Sequence, residues 1–109
     1  DVIYLPHAEE SHPDHAAALT AARTALLQAE TSPKVAELRG YEVWNPMTRP
    51  GWVEDISEVM SRKIQAIRCY RSQLRSFRYD RAIRGLNRYR GILNAGSRYA
   101  EAFRFYDLC

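Results

Sequence analysis

Two segments of the sequence read as strands, and the helix between them limits what this chain can fold into more than any other feature. The first, Asp1-Val2-Ile3-Tyr4-Leu5, is a short β-branched and aromatic run closed by Pro6, and the second, Tyr41-Glu42-Val43-Trp44, follows the punctuating Gly40. Strands joined through a helix run parallel, and an isolated pair of strands is marginal in water. More strands must therefore come from elsewhere, either a partner chain or an amino-terminal half outside this sequence. The sequence also opens inside its first strand without an initiating Met, so a break in a longer polypeptide is expected at Asp1.

The remainder reads mainly as helix. Pro13 suits a first helical position, and the Ala/Leu-rich residues 16–30 have high helix propensity. Thr31-Ser32-Pro33 breaks that helix, a short stretch follows over 35–39, and 45–52, with Pro46, Pro50 and Gly51, reads as a loop. Asp55 and Glu58 resemble a capping box that opens a long amphipathic helix with Ile56, Val59, Met60, Ile64, Ile67 and Leu74 on its apolar face. Another helix is expected over 79–93, with Ile83, Leu86, Tyr89 and Leu93 inward, stopped by Asn94-Ala95-Gly96 before a final segment over 98–106. The fold class expected is α/β, mostly helical with two short strands.

With 109 residues, 46% apolar and 27% charged, one core is the limit. No apolar run approaches the roughly 20 residues needed to cross a bilayer, and the first residues lack the order of a secretion signal, so a cytoplasmic location is expected. Cys69 and Cys109 have no metal-type spacing and are expected as reduced thiols. The net charge of +3 hides an asymmetry: four Lys/Arg stand against ten Asp/Glu through Met60, and twelve against three from Ser61 onward. Arg68, Arg71, Arg75 and Arg78, then Arg81, Arg84 and Arg88, are spaced by three or four and so share a helical face. Such a stripe can track phosphates. A solvated face or a subunit contact through guanidinium forks is the preferred reading over nucleic acid.

The cluster with chemical content is His12-Pro13-Asp14-His15, because residues three apart at a helix start project from one face and can converge on one ion or substrate. A catalytic zinc takes three protein ligands and keeps a fourth position open, so a histidine pair by itself is incomplete. The plainer alternative makes His12 a helix cap and His15 a surface residue. His7 sits in the preceding loop.

The order of strand, His12-Pro13-Asp14-His15, helix, Tyr41-Glu42-Val43-Trp44, then Asp55-Ile56-Ser57-Glu58-Val59-Met60 with Lys63, Tyr70-Arg71-Ser72-Gln73-Leu74 and Arg98-Tyr99-Ala100-Glu101-Ala102-Phe103 resembles the second half of PIG-L/LmbE-type zinc-dependent N-acetylglucosaminyl deacetylases. The likeness covers nearly the whole chain, read as residues 1–109 of the carboxyl-terminal part of one such domain. It implies a Rossmann-like parallel sheet flanked by helices, with zinc at the carboxyl ends of the strands. It also implies that His15 is a zinc ligand, that His12 stabilises the oxyanion and protonates the leaving amine, and that Asp14 orients His12. Tyr99 is implied near the substrate. Glu101, read at a helix end, fits a structural partner better than a site residue.

One departure limits that expectation. Members of this family carry an early His-Pro-Asp-Asp-Glu motif that supplies the other two zinc ligands and the general base, and no such segment occurs here. The chain alone is therefore not expected to hydrolyse amides at a useful rate, and the amino-terminal half, or a second chain carrying it, is the expected partner. The resemblance also makes a homo-oligomer possible. The alternative is an inactive module that binds through its arginine-rich helices.

Overall fold

The computed structural model describes residues 1–29, 34 and 37–108, so the expectations for Thr31-Ser32-Pro33, for residues 35–36 and for the Cys109 thiol fall outside it. The elements are β1 (Val2–Pro6), α1 (Pro13–Gln28), β2 (Glu37–Tyr41), β3 (Trp52–Asp55), α2 (Met60–Arg68), α3 (Arg71–Ser76), α4 (Tyr79–Arg90), a π-helical turn (Gly91–Ala95) and β4 (Ala100–Tyr106). The strand order is β1-β2-β4-β3. β1 runs parallel to β2 and β2 antiparallel to β4, which makes the sheet mixed. The α/β class is as expected, but four strands form among the described residues where two were expected. The additional pair, β3 and β4, belongs to this chain, which corrects the inference that every further strand must be supplied from elsewhere.

The chain divides into two compact units, one of Asp1–Trp52 with Ala102–Cys109 and the other of Val53–Glu101. In the first, β1 alternates as a half-buried strand should, turning Ile3 and Leu5 to the side where Leu19 and Leu38 form the core with Ala18, Ala22, Leu26 and Tyr106. Burying each of those leucines stabilises the unit by about 1.5–3 kcal/mol. The other side of the sheet is aromatic: the Arg39 guanidinium sits 4.9 Å from the Trp52 ring centre and 5.6 Å from that of Tyr4, and pairs with Glu37.

The second strand lies four residues earlier than the sequence suggests, at Glu37–Tyr41. Gly40 is the reason. It is not punctuation but a position inside β2 where a Cβ would come within 2.6 Å of the Tyr106 ring and 3.0 Å of the His7 backbone. Val43 and Trp44 leave the sheet, and their amides bond elsewhere. The segment over 98–106, with Glu101 read at a helix end, is instead mostly strand.

In the second unit Ile56, Met60, Ile64 and Ile83 form the core, with Ile67, Tyr79, Leu86 and Tyr99 packed around it. The single long helix expected from Asp55 onward is two helices. Asp55 ends β3, and its Oδ1 accepts from the Ser57 amide at 2.9 Å and the Ser57 hydroxyl at 2.6 Å, forming a turn instead of a capping box. Helix α2 stops at Arg68 because the apolar period lapses: Tyr70 is exposed, and α3 buries no residue. Cys69 is an exposed free thiol.

Helix α4 buries Asp80, Ile83, Asn87 and Arg90, whereas Tyr89 and Leu93, expected inward, are 56% and 64% exposed. The sequence pattern favours the neighbouring stripe because two of the inward positions after Ile83 are polar. Beyond Arg90 the backbone widens into the π-helical turn, and Gly91 lets it pass the 97–99 segment, where a Cβ would lie 2.7 Å from the Tyr99 nitrogen. Gly96, in the left-handed region at φ 61°, ends the turn as expected. The arginines through Arg78 do not share one face: Arg68 ends α2, Arg71 and Arg75 lie on α3, and Arg78 caps α4. Arg68 and Arg78 converge on buried Asp80 at 3.1 and 2.9 Å.

Candidate metal-binding and catalytic site

The histidine cluster sits where β1 ends and α1 begins, all within the first unit. The chain leaves β1 at Pro6, and the His7 amide still bonds the Tyr41 carbonyl at 3.0 Å, carrying the parallel register one step into the loop. His12 then caps α1. Its backbone is extended (φ −74°, ψ 125°), its Nδ1 accepts from the Asp14 amide at 3.3 Å, and its carbonyl accepts from Ala16 at 2.9 Å. Pro13 takes the first helical position, where no amide is needed, and Asp14 complements the positive end of the helix.

That geometry brings the His12 and His15 rings together with centroids 4.8 Å apart, on one face of the helix start. The His12 side chain is about half exposed, and Asp14 almost wholly so. Asp14 Oδ2 lies 4.0 Å from His12 Nδ1, an ion-pair separation and not a hydrogen bond. Because Nδ1 of His12 accepts from the cap amide, Nε2 is the ring nitrogen outside that bond.

Glu10, which sequence reasoning does not single out, is the centre of the cluster. Its side chain is fully buried. Oε1 accepts from the backbone amides of Val43 (2.9 Å), Trp44 (2.9 Å) and Asn45 (3.1 Å), and Oε2 accepts from Trp44 at 3.1 Å. His15 Nδ1 lies 3.4 Å from Oε2, and His7 Nε2 lies 3.4 Å from Oε1. Burial pushes the Glu10 carboxyl up, but the amides of Asn45 and Val43, the His15 ring and the Trp44 amide outweigh it and hold the group below the usual carboxylate range. Burial, and then the Glu10 charge, push the Tyr41 phenol up.

Other side chains lace the loop to the 41–47 segment. His7, fully buried, bonds the Asn45 carbonyl through Nε2 at 2.7 Å, while its Nδ1 is buried with no partner among the described residues. Asn45 Oδ1 accepts from the Ser11 amide at 2.7 Å, and Glu42 accepts from Met47 at 2.6 Å. No sequence signal separates buried Glu10 from exposed Glu9, since the partition depends on where residues 43–45 return.

Tyr99 belongs to the second unit. Its hydroxyl is 3.5 Å from Arg84 Nη1, and its amide bonds Ser57 Oγ at 3.1 Å. The bond from Arg84 lowers the phenol's pKa, burial opposes it, and the charges of Arg84, Arg88 and Arg98 add to the lowering. Glu101 pairs with Lys63, the structural role expected of it.

Among the described residues no group of three His, Cys, Asp or Glu side chains could hold a metal. The donor chemistry of His15 nevertheless fits one zinc ligand: one ring nitrogen faces a buried carboxylate, and the other, Nε2, makes no hydrogen bond among the described residues. Among the described residues no helix is long and apolar enough to cross a membrane.

No protein-family model matches the chain. Two solved structures are similar to it. One is the conserved protein TT1542 from Thermus thermophilus, at 28% identity and a TM-score of 0.69, covering 94% of this chain and 49% of that one. The other is the N,N'-diacetylchitobiose deacetylase from Pyrococcus horikoshii, at 23% identity and a TM-score of 0.72, covering 99% of this chain and 46% of that one. This chain thus spans about half the length of the structures it matches. What it shares with both is the α/β fold of about half of each structure, one of the two being that deacetylase.

Proposed function

We propose that the chain supplies one zinc ligand and the proton-handling histidine of a hydrolase that removes an acetyl group from an N-acetylglucosamine-type sugar. A segment equivalent to the unmatched half of the similar structures completes the site. The observation that carries this reading is the pair of imidazoles 4.8 Å apart at the end of a strand, on a fold shared with part of a deacetylase.

In this reading His15 holds the ion through Nε2. Zinc, when bound, polarises the acetamide carbonyl and activates a water at neutral pH. His12 does the rest of the proton work. In its imidazolium form, with the Nδ1 cap bond given up, His12 hydrogen-bonds the developing oxyanion through Nε2–H and transfers that proton to the nitrogen as the carbon–nitrogen bond breaks, which leaves a neutral ring. The products are acetate and the free amine. Asp14, with Oδ2 4.0 Å from His12 Nδ1, orients that ring. The test combines the chain with a polypeptide carrying the His-Pro-Asp-Asp-Glu motif and measures acetate release from N,N'-diacetylchitobiose with zinc. Zinc-dependent release that falls by about 10²–10⁴ in His12→Ala is expected; no release from the folded mixture overturns the reading.

A second reading rests on Arg81, Arg84 and Arg88, which stand exposed along α4 beside its buried stripe. It makes the chain a module that binds a subunit or a polyanion. Binding to single-stranded nucleic acid with a steep salt dependence, without zinc uptake, would favour it.

A further inference from the structure

We infer that Glu10 is a positioning residue that fixes the tautomer of His15, so that Nε2 is the nitrogen presented to a cation. This deepens the proposed function and rests on His15 being a ligand there. The Glu10 side chain is fully buried, and one oxygen gathers three backbone amides from residues 43–45 while the other takes the Trp44 amide again. Four donor contacts from the main chain leave the carboxylate one orientation, and they suit the ionised form, which accepts hydrogen bonds and donates none.

The consequence falls on His15. Its Nδ1 lies 3.4 Å from Oε2, and since an ionised carboxylate brings no proton to that contact, the hydrogen must sit on Nδ1. Nε2 is then left with its lone pair, the form in which a neutral imidazole binds a metal. Glu10 lies five residues before His15 and is locked to a separate segment of chain, so the ring is oriented by the 43–45 turn as well as by its own helix. His7 stands behind the carboxylate at 3.4 Å and is itself fixed to the Asn45 carbonyl. A residue that merely pinned the 43–45 turn would need Oε1 and the Trp44 contact; only the Oε2–His15 contact sets a proton.

Glu10→Gln separates these roles. A glutamine can keep its oxygen toward the amides, but its NH₂ then faces His15 Nδ1 and donates to it, moving the ring proton to Nε2. Long-range proton–nitrogen-15 spectra of the 109-residue chain, taken where histidine is neutral, report the tautomer directly. Wild type should show His15 protonated on Nδ1, and Glu10→Gln should show it protonated on Nε2. A titration with zinc alone, followed at the His15 ring, should need about 10–100-fold more metal in the variant. Wild-type His15 protonated on Nε2, or a folded Glu10→Gln that keeps the wild-type tautomer, overturns the inference. Should the variant not fold, the wild-type spectrum decides alone. Absence of any zinc effect at His15 in wild type counts against the metal reading, whereas the tautomer still judges Glu10.

Discussion

Glu10 in the first unit and Asp80 in the second are both buried carboxylates, and they are satisfied by opposite means. Glu10 is met by main-chain amides and imidazoles, groups fixed in place by the fold around them. Asp80 is met by Arg68 and Arg78, whose side chains are more than half exposed and reach inward from the surface. This contrast determines how far each unit can yield. Removing Asp80 leaves two guanidinium groups that can turn back to water, but removing Glu10 leaves amides that cannot leave the loop they belong to.

The largest effect should therefore come from Glu10→Ala. Withdrawing a buried acceptor shared by three backbone amides should cost about 3 kcal/mol, measured as a lower urea midpoint. Asp80→Asn should cost less at neutral pH, and a cost equal to or above that of Glu10→Ala would erase the contrast. Acid probes the same pair further. The arginine bonds, chiefly from Arg78, hold the Asp80 carboxyl well below its usual range, so the unfolded chain binds the proton first as acid is added. Its contribution is complete above about pH 4 and is lost as pH falls from there toward the folded value. Thermal melts of wild type and Asp80→Asn should accordingly differ at pH 7 and converge in strong acid. The smallest effect belongs to Arg81→Ser with Arg88→Ser on the exposed face of α4: stability should move by less than about 0.5 kcal/mol. The same pair reports on polyanion binding, which should weaken markedly only if the module reading holds.

Local chemistry is legible in the sequence, and long-range satisfaction is not. The start of α1 can be read from His12-Pro13-Asp14-His15 because capping, proline geometry and helical spacing act within a few residues, and the two rings do meet. Gly96 can be read for the same reason. By contrast β2 is displaced from its expected place because Gly40 serves a close approach from Tyr106 and His7, residues far from it in sequence. The helix after Asp55 splits because an apolar period says which residues face inward, not whether the backbone between them is continuous. Glu10 escapes notice because its importance arises from amides some 33 to 35 positions away.

A methyl group at Gly40 would fall 2.6 Å from the Tyr106 ring and 3.0 Å from the backbone of His7, so β2 and the loop that leads to the imidazoles share one tight seam. An alanine introduced there would leave the strand's own hydrogen bonds intact yet displace the loop above it. Damage to chemistry could thus originate at a residue that bears no functional group at all.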